Sequence, residues 1–259
     1  MNNIVFYFSG TGNSLKVAKD ISRDIGNCEI VSMSRNFNIT KKYDTIGFVY
    51  PNYYWGLPKK VIEFIENIDL TNNKGSYYYS IATYGGDLGN SVYQIYELLL
   101  KKHGVKINYG QKLKMFPNYV ISYNMSRKKE QIIKKANEKL IPIINSIKSR
   151  THNRISKFTK IFAFVNKSFI KKVSDMDRDY SVNDNCKGCN ICEKVCPVNN
   201  IEIINSRPQY KHHCENCVAC IQYCPQKAIN YKNATQKRRR YTNPEISYME
   251  LCEYNNKQS

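Results

Sequence analysis

The sequence lacks a long apolar stretch. No apolar run approaches the roughly 18 residues that a helix needs to cross a bilayer, so we expect no membrane span. The first ten residues, MNNIVFYFSG, contain no Lys or Arg and pass directly into an apolar run, whereas a secretory leader begins with basic residues. Together, these absences favour a cytoplasmic location.

Acidic residues are also scarce. The chain holds 21 Asp and Glu against 40 Lys and Arg, which gives a formal net charge of +19. More than half of this excess lies in residues 126–180, where 15 Lys and Arg accompany 5 Asp and Glu. Because this stretch lies outside the two regions that carry motifs, a solvated basic face explains the charge better than a nucleic-acid surface. We therefore expect no nucleic-acid partner and a surface that suits acidic proteins.

Apolar strand-like runs alternate with amphipathic helical patterns over the first 148 residues. The predicted strands cover 3–8, 28–33, 44–50, 76–83 and 105–110, and residues 118–123 are predicted to extend the fifth strand or pair beside it. The predicted helices cover 13–25, 57–68, 89–104 and 127–148. This alternation predicts an α/β fold with a doubly wound, five-stranded parallel sheet.

The loop after the first strand, within FSGTGNSLK (8–16), lacks the defining features of two common nucleotide sites. It has no Lys where an ATP-binding P-loop requires one, and Leu15 stands where a dinucleotide fingerprint has its third glycine. The loop instead offers hydroxyl groups between glycines just before a helix, whose N-terminal N–H groups attract anions. This combination suits a terminal monophosphate held by neutral donors.

Two further loops follow strands at the same edge of the predicted sheet, where such sheets bind ligands. PNYYWGLP (51–58) carries three consecutive aromatic residues, and TYGGDLGN (83–90) carries one beside two glycines. Aromatic loops on both sides of a phosphate loop can enclose a flat heteroaromatic ring. The sequence leaves open which of four side chains stacks on that ring: Tyr53, Tyr54, Trp55 or Tyr84.

Cysteine is abundant but confined, with eight of the ten residues falling within 186–224. They form two copies of C-x2-C-x2-C-x3-C-P, and each cysteine of the second copy lies 28 residues after its counterpart. This spacing is typical of iron–sulfur ligands, whereas zinc ribbons use pairs of C-x2-C. Cys28 and Cys252 lie outside both copies and are expected to be ordinary thiols.

The fourth cysteine of such a motif ligates the other cluster, so two crossed ligand sets for 4Fe-4S clusters are predicted. The first set is Cys186, Cys189, Cys192 and Cys224. The second set is Cys214, Cys217, Cys220 and Cys196.

Residues 1–148 resemble a flavodoxin, because loop 9–14 matches the family's Ser/Thr-x-Thr-Gly-x-Thr/Ser pattern for the phosphate of FMN. The resemblance implies that residues 9 and 11–14 hold the phosphate, and that residues of 51–56 and 83–87 flank the isoalloxazine ring. The predicted FMN-binding residues are Ser9, Gly10, Thr11, Gly12, Asn13, Ser14, Pro51, Asn52, Tyr53, Tyr54, Trp55, Gly56, Thr83, Tyr84, Gly85, Gly86 and Asp87.

Residues 180–232 resemble a bacterial ferredoxin, a small α+β domain with two 4Fe-4S clusters. Joined in this order, the two parts resemble the flavodoxin–ferredoxin fusion proteins of anaerobes. The expected organisation is a flavodoxin-like FMN-binding domain (1–148), a basic linker helix (149–179), a two-cluster ferredoxin-like domain (180–232) and a basic C-terminal tail (233–259).

One FMN and two clusters imply electron transfer within one chain, with redox proteins as donors or acceptors. An electron carrier is favoured over an enzyme, because no constellation of a catalytic acid, base or nucleophile is evident. One alternative is an FMN-dependent reductase of a small substrate that uses reduced ferredoxin or a similar donor. Another is a basic nucleic-acid-interacting protein whose clusters are structural.

Two basic segments lie outside the motifs. The first, 155–173, places apolar residues at helical spacing and is expected to pack on its own protein, with association at a membrane surface as the alternative. These apolar residues are Phe158, Phe162, Val165, Phe169 and Val173. The second, QKRRRY (236–241), is expected to cover an acidic or phosphate-rich surface nearby.

Overall fold

Five apolar segments of the first half pair side by side in the computed structural model, which describes residues 1–86, 89–156 and 160–256. The strands are β1 (Asn3–Tyr7), β2 (Cys28–Ser32), β3 (Thr45–Pro51), β4 (Tyr77–Tyr84) and β5 (Tyr109–Lys114). All are parallel, in the order β2-β1-β3-β4-β5. The predicted α/β fold with a five-stranded parallel sheet is confirmed.

Helices cover both faces of this sheet, which is why its strands are apolar on both sides. The helices are α1 (Asn13–Ile25), α2 (Lys59–Asn67), α3 (Ser91–His103) and α4 (Lys129–Lys148). Along β1, Ile4 and Phe6 face a core that contains residues of α2 and α3. Val5 and Tyr7 face the opposite core, which contains residues of α1 and α4.

Two sequence predictions about the sheet edge are wrong. The fifth strand lies at 109–114 rather than 105–110, because the Asn108 side chain accepts a hydrogen bond from the N–H of Tyr78 at 2.7 Å in place of a main-chain partner. Residues 118–123 form no strand and contain a turn at 120–122. The carbonyl groups of Val120 and Ile121 instead accept hydrogen bonds from Arg238, at 2.7 and 2.6 Å.

The cysteine-rich region folds as two similar halves. Its elements are β6 (Tyr180–Val182), α6 (Ile191–Lys194), β7 (Ile201–Ile204), β8 (Arg207–Tyr210), α7 (Ala219–Tyr223) and β9 (Ile229–Tyr231). β6 pairs with β9 and β7 with β8, both antiparallel. Left-handed residues recur at the 28-residue offset of the cysteines: Gly188 and Asn216, Asn190 and Val218, Asn199 and Lys227. The repeat therefore extends from the cysteine spacing to the backbone conformation.

Segments between and after the two regions connect them. These are α5 (Lys160–Lys172), a 3-10 helix (Val173–Asp179) and α8 (Tyr248–Asn256). Phe169 and Val173 are buried, so the basic amphipathic segment packs on its own protein; Phe158 lies outside the described residues. Across the described part of the chain, no helix combines the length and apolar character needed to cross a membrane.

The tail packs on the first region rather than extending from the second. The Asn255 side chain of α8 accepts a hydrogen bond from the Tyr7 hydroxyl at 2.9 Å and another from Ser32 at 3.1 Å. The core on this face of the sheet also includes Val195 and Ala219 from the cysteine-rich region. One continuous apolar core thus joins the sheet, the cysteine-rich region and the tail.

Candidate functional site

A cavity of about 370 Å³ lies at the carboxyl edge of the sheet and brings the three predicted loops together. Its lining includes fourteen of the predicted residues: Ser9, Gly10, Thr11, Asn13, Ser14, Pro51, Asn52, Tyr53, Tyr54, Trp55, Thr83, Tyr84, Gly85 and Gly86. Gly12 and Gly56 belong to the same loops without lining the cavity, and Asp87 lies outside the described residues. The structure therefore places the predicted loops around one ligand-sized space.

The first loop is shaped to receive an anion. Gly12 takes φ 93° immediately before α1 begins at Asn13, a conformation that glycine adopts without a steric penalty. The N–H of Gly12 donates to Ser9 Oγ at 3.1 Å, which tightens the turn. The first N–H groups of an α-helix have no partner within the helix, so the start of α1 offers donors to a ligand.

The Asn13 side chain supports this loop from behind. Its Nδ2 donates to the carbonyl of Phe116 at 3.2 Å. Its Oδ1 accepts from the Tyr241 hydroxyl at 2.7 Å and from Asn243 Nδ2 at 3.0 Å. These bonds fix the loop against the tail and leave the main-chain N–H of Asn13 and the second N–H of its side-chain amide as donors for an anion.

The second loop contains a strained turn. Tyr53 and Gly56 exchange two main-chain hydrogen bonds of 2.9 Å, and the residues between them, Tyr54 and Trp55, have φ of 44° and 62°. Two-residue turns of this kind normally use Asn and Gly, because other residues pay a cost of about 1–3 kcal/mol each in the left-handed region. The Asn166 side chain of α5 stabilises the turn by donating to the carbonyl of Tyr53 at 3.0 Å.

The aromatic candidates differ in their surroundings. The Tyr54 ring stacks on Phe169 of α5 at 4.3 Å between centroids, which covers one face of the ring. Tyr53 packs edge-on against Phe8, and burial raises the pKa of its hydroxyl well above the ordinary value. Trp55 and Tyr84 are half-buried where they line the cavity.

Polar and apolar features of the cavity fit FMN. The anion-binding loop stands at one part of the wall, and aromatic side chains stand at another. Ser9, Thr11 and Ser14 carry hydroxyl groups on the lining, and the aromatic residues Trp55 and Tyr84 lie on the same lining. The residues present therefore fit a flat ring with a polar edge joined to a phosphate.

Sequence reasoning missed part of the wall. The additional lining residues are Met115, Phe116, Asn118, Tyr119, Ser122, Tyr123, Phe169, Asn216, Cys217 and Val218. Met115 and Phe116 directly follow β5 at the same edge of the sheet, so a correctly placed fifth strand would have indicated them. The stretches that supply Phe169 and Asn216–Val218 follow no strand of this sheet, so the strand pattern gives no signal for them. Three of these residues belong to the second cysteine motif, so the two predicted sites share a wall.

The cysteines group as two crossed sets. Cys186, Cys189, Cys192 and Cys224 line a small cavity of about 20 Å³. Burial, with smaller contributions from the thiols of Cys224, Cys189 and Cys186, raises the pKa of Cys192 to about 12. Burial likewise raises the pKa of Cys217, with Cys196 and Cys214 as its nearest ionisable contributors. The fourth cysteine of each motif thus lies with the first three of the other.

The thiol environment fits an iron–sulfur cluster. Main-chain N–H groups donate to Cys196, Cys214 and Cys224 Sγ atoms at 3.2, 3.1 and 3.2 Å, a pattern that stabilises anionic sulfur.

Gly10 marks the contact between the two sites. A Cβ atom at this position would lie 2.6 Å from the carbonyl oxygen of Cys217 and 2.9 Å from its Cβ, so only glycine fits there without displacement. The neighbouring Val218 has φ 58°, which is unusual for a β-branched residue and repeats the conformation of Asn190. The second cysteine motif therefore presents its backbone directly to the anion-binding loop.

A hydrogen-bonded chain of side chains also crosses this boundary. The hydroxyl groups of Tyr54 and Tyr119 lie 2.8 Å apart, and Asn216 Nδ2 donates to Tyr119 at 2.7 Å. Asn216 Oδ1 then accepts from the Tyr180 hydroxyl at 2.8 Å. These hydrogen bonds link the strained turn at Tyr54 to Asn216, one of the two residues between Cys214 and Cys217.

Comparisons with protein families agree with this division. Residues 4–87 match the model of a flavodoxin domain, and residues 180–202 match the model of a 4Fe-4S binding domain. The chain carries a flavodoxin domain followed by a 4Fe-4S ferredoxin domain. This is the predicted arrangement of a flavodoxin–ferredoxin fusion, and it makes the protein an electron-transfer iron–sulfur flavoprotein. A flavodoxin domain implies FMN, and the ferredoxin domain implies a 4Fe-4S cluster.

Solved structures with a similar fold include the flavodoxin of Megasphaera elsdenii, at 22% identity and TM-score 0.36, with 42% of this chain and 83% of that chain covered. Rubredoxin oxygen:oxidoreductase of Desulfovibrio gigas matches at 14% identity and TM-score 0.39, covering 57% of this chain and 36% of that chain. An FMN-dependent NADH-azoreductase of Bacillus anthracis matches at 12% identity and TM-score 0.38, covering 59% and 100%. The search of curated proteins gave no match.

Proposed function

We propose that this protein transfers electrons between two 4Fe-4S clusters and FMN within one chain. The observation that carries the proposal is the contact of Gly10 with Cys217, because the anion-binding loop and a cysteine of the second set form one wall. When bound, the clusters exchange single electrons and the flavin exchanges one or two. The chain's own role is to hold these groups next to each other and away from bulk water.

The flavodoxin loops would hold FMN in the manner that the sequence predicts. Ser9, Thr11 and Ser14, with the first N–H groups of α1, are the donors for the phosphate. Residues of 51–56 and 83–86 would flank the ring, with the turn at Tyr54 and Trp55 held by α5.

Two clusters rather than one are supported by the repeat. The family model covers only 180–202, but the second copy repeats the cysteine spacing and three left-handed positions of the first. We assign Cys186, Cys189, Cys192 and Cys224 to the first cluster. We assign Cys196, Cys214, Cys217 and Cys220 to the second.

Burial suggests an order for the route. Cys189 is exposed, whereas Cys214 and Cys220 of the second set are buried and Cys217 forms part of the FMN cavity. Electrons from outside would therefore enter at the first cluster and reach FMN through the second. The net charge of +19 suits single-electron carriers with acidic surfaces as partners.

The cofactor content provides the first test. We expect about eight irons, eight sulfides and one FMN per chain after anaerobic purification, because each cluster contains four of each atom. Four irons per chain would contradict the proposed number of clusters. Bound zinc would contradict the cluster type, and absent flavin would contradict the proposed flavin site.

The route itself can be tested with Cys220→Ala. The variant removes a ligand of the second set, so we expect loss of one cluster and at least a hundredfold slower flavin reduction by reduced methyl viologen in stopped-flow absorbance. Cys252→Ala is the matched control, because this half-buried thiol lies outside both sets. Flavin reduction at the wild-type rate in Cys220→Ala would exclude the second cluster from the route.

A reductase of a small substrate is the second candidate. Tyr119 and Tyr123 add hydroxyl-bearing side chains to the cavity beyond the three predicted loops, and such groups can orient a bound molecule. Steady-state turnover of a defined substrate by the reduced protein, with simple saturation, would favour this candidate over a carrier.

A further inference from the structure

Three consecutive arginines in the tail bind main-chain carbonyl groups of the protein itself. Arg238 donates to Val120 and Ile121, and Arg239 donates to Met125 at 2.8 Å. Arg240 donates elsewhere, toward the ferredoxin domain. The expectation that this segment covers an acidic or phosphate-rich surface is therefore wrong, because the guanidinium groups are engaged by backbone oxygen atoms.

Arg240 is held rigidly at the edge of the first cysteine set. Its Nη1 donates to the carbonyl of Thr235 at 3.0 Å, and its Nη2 donates to the carbonyl of Ile229 at 3.2 Å and to Asn230 Oδ1 at 2.9 Å. Ile229 itself lines the small cavity that the first set of cysteines encloses. Three hydrogen bonds thus fix the orientation of the guanidinium beside that cavity.

One donor of this guanidinium has no partner. The Nε atom of Arg240 is buried and makes no hydrogen bond with any described residue. A buried donor of a charged group that lacks a partner is costly, so such groups nearly always meet an acceptor. The thiols of Cys224 and Cys220 act electrostatically on Arg240, and Ile229, whose carbonyl binds the same guanidinium, lines the cavity of the first cysteine set.

Those two cysteines belong to different ligand sets. Cys224 completes the first set, and Cys220 belongs to the second. Burial lowers the pKa of Arg240, but a guanidinium remains protonated in proteins, so its positive charge is fixed. A permanent positive charge therefore lies beside the cavity of the first cysteine set.

We propose that Arg240 is a positioning residue that raises the reduction potential of the cluster held by Cys224, through its fixed positive charge and its buried Nε–H donor. A fixed cation stabilises the more negative, reduced form of a nearby redox group, and hydrogen bonds to sulfur act in the same direction. The inference rests on the two-cluster function proposed above. A residue of the tail, outside the cysteine repeat, would thus influence the reduction potential of a cluster in the ferredoxin domain.

The test is an anaerobic redox titration of the full chain monitored by electron paramagnetic resonance. Arg240→Gln and Arg240→Met remove the charge, Arg240→Lys keeps it, and Arg239→Gln is the matched control because Arg239 binds a loop carbonyl. In the neutral variants we expect one cluster to become at least tenfold harder to reduce, a shift of about 59 mV for one electron. Arg240→Lys is expected to show less than half of this shift, and Arg239→Gln none.

Each outcome decides the role of Arg240. Unchanged midpoints in a neutral variant that retains its clusters would overturn the proposal. Loss of the clusters from both neutral variants, with full loading of Arg240→Lys, would also overturn it, because the charge would then be needed for assembly rather than for the potential. Iron analysis of the wild-type chain separates these results from the proposed function: four irons contradict the two-cluster function, while the titration still tests Arg240 on the cluster that remains.

Discussion

At the scale of single residues, close contacts between distant parts of the chain decide which side chains are possible. Gly10 meets the backbone of Cys217, and no Cβ atom fits between them. The sequence indicates a glycine-rich phosphate loop at this position, but only the contact explains why this particular glycine has no side chain. Gly10 is therefore required both by the anion-binding loop and by the contact of that loop with Cys217.

Gly10→Ala is expected to separate the anion-binding loop from the second cysteine motif. Its Cβ would lie 2.6 Å from the Cys217 carbonyl oxygen, and a backbone oxygen cannot move without shifting the loop. We expect FMN affinity to fall at least tenfold in fluorescence titrations of the flavin-free chain. Gly75→Ala is the control, since nothing lies within 4 Å of its added Cβ. Equal FMN affinity in the two variants would contradict the assigned contact.

Cys28 is expected to be unreactive at neutral pH. Burial raises the pKa of its thiol to about 11 from 9.0, with a smaller opposing effect of the Ser22 hydrogen bond. Because the thiolate is the reactive form, alkylation of Cys28 by iodoacetamide should remain slow at pH 8 and accelerate toward pH 11. Peptide mass spectrometry of the folded chain, compared with the chain in guanidinium, measures this difference. Equal rates in both states at pH 8 would contradict it.

The same pKa shift gives a stability prediction with a defined sign. The raised pKa means that the folded state retains the proton more tightly than the unfolded state. The contribution of the protonated Cys28 thiol to the free energy of unfolding is therefore fully present below pH 9 and is lost as the pH rises toward 11. Cys28→Ala should reduce the loss of stability over that interval.

At the scale of elements, α5 acts as a support for the flavin loop. Asn166 is buried and donates to the carbonyls of Tyr53 and Leu57 at 3.0 and 3.2 Å, while Gln94 donates to its Oδ1 at 3.2 Å. Both carbonyls border the strained turn at Tyr54 and Trp55, and the Tyr53 carbonyl also accepts the N–H of Gly56 at 2.9 Å. The helical periodicity of 155–173 predicts an amphipathic helix, but not that a polar residue of that helix would hold this loop.

Asn166→Ala is expected to destabilise the chain by about 1–3 kcal/mol, because the buried Leu57 carbonyl and the Gln94 side chain would lose hydrogen bonds to Asn166. Since the turn borders the cavity, FMN affinity should fall as well. Urea unfolding followed by circular dichroism, with flavin titration, measures both quantities. Lys167→Ala provides the comparison, because the neighbouring side chain is exposed. A variant that matches Lys167→Ala in both measurements would show that the helix does not support the loop.

At the scale of the whole molecule, the two domains share apolar cores. Val195 and Ala219 of the ferredoxin domain pack in the core of one sheet face, and a further core joins Phe116 and Val120 to Val218 and Ile221. The tail adds hydrogen bonds from Tyr241 and Asn243 to the phosphate loop. A change at one cofactor site is therefore expected to alter cofactor binding at the other.

Removal of the clusters with ferricyanide and EDTA is expected to weaken FMN binding by the full chain about five- to 150-fold, the usual range for coupled sites. The physical reason is that the segment Asn216–Val218, which lines the flavin cavity, would lose the order that cluster ligation by Cys217 is proposed to supply. Binding linkage is reciprocal, so saturating FMN should slow iron release by the chelator. Identical FMN affinity with and without clusters would show that the two sites are independent.

The sequence alone determined the elements and the chemistry of the donors. Periodicity placed the parallel sheet, the loop chemistry of 9–14 indicated a phosphate, and the spacing of eight cysteines predicted crossed ligand sets. The sheet and the loop were predictable because they depend on neighbouring residues. The ligand sets were predictable because they depend on the spacing within and between two motifs 28 residues apart. The fifth strand was misplaced because a side chain, Asn108, replaces a main-chain partner at its start.

The tertiary structure alone decided how the two sites meet. It brought Cys217 against Gly10, lined the flavin cavity with Tyr119 and Phe169, and placed Arg240 beside the cavity of the first cysteine set. No spacing rule predicts these contacts, because they depend on how apolar cores shared between segments more than 100 residues apart fix the domains against each other. The same packing sets the position of the tail. As a result, the arginines of the basic segment 236–241 donate hydrogen bonds to main-chain carbonyls of the protein itself.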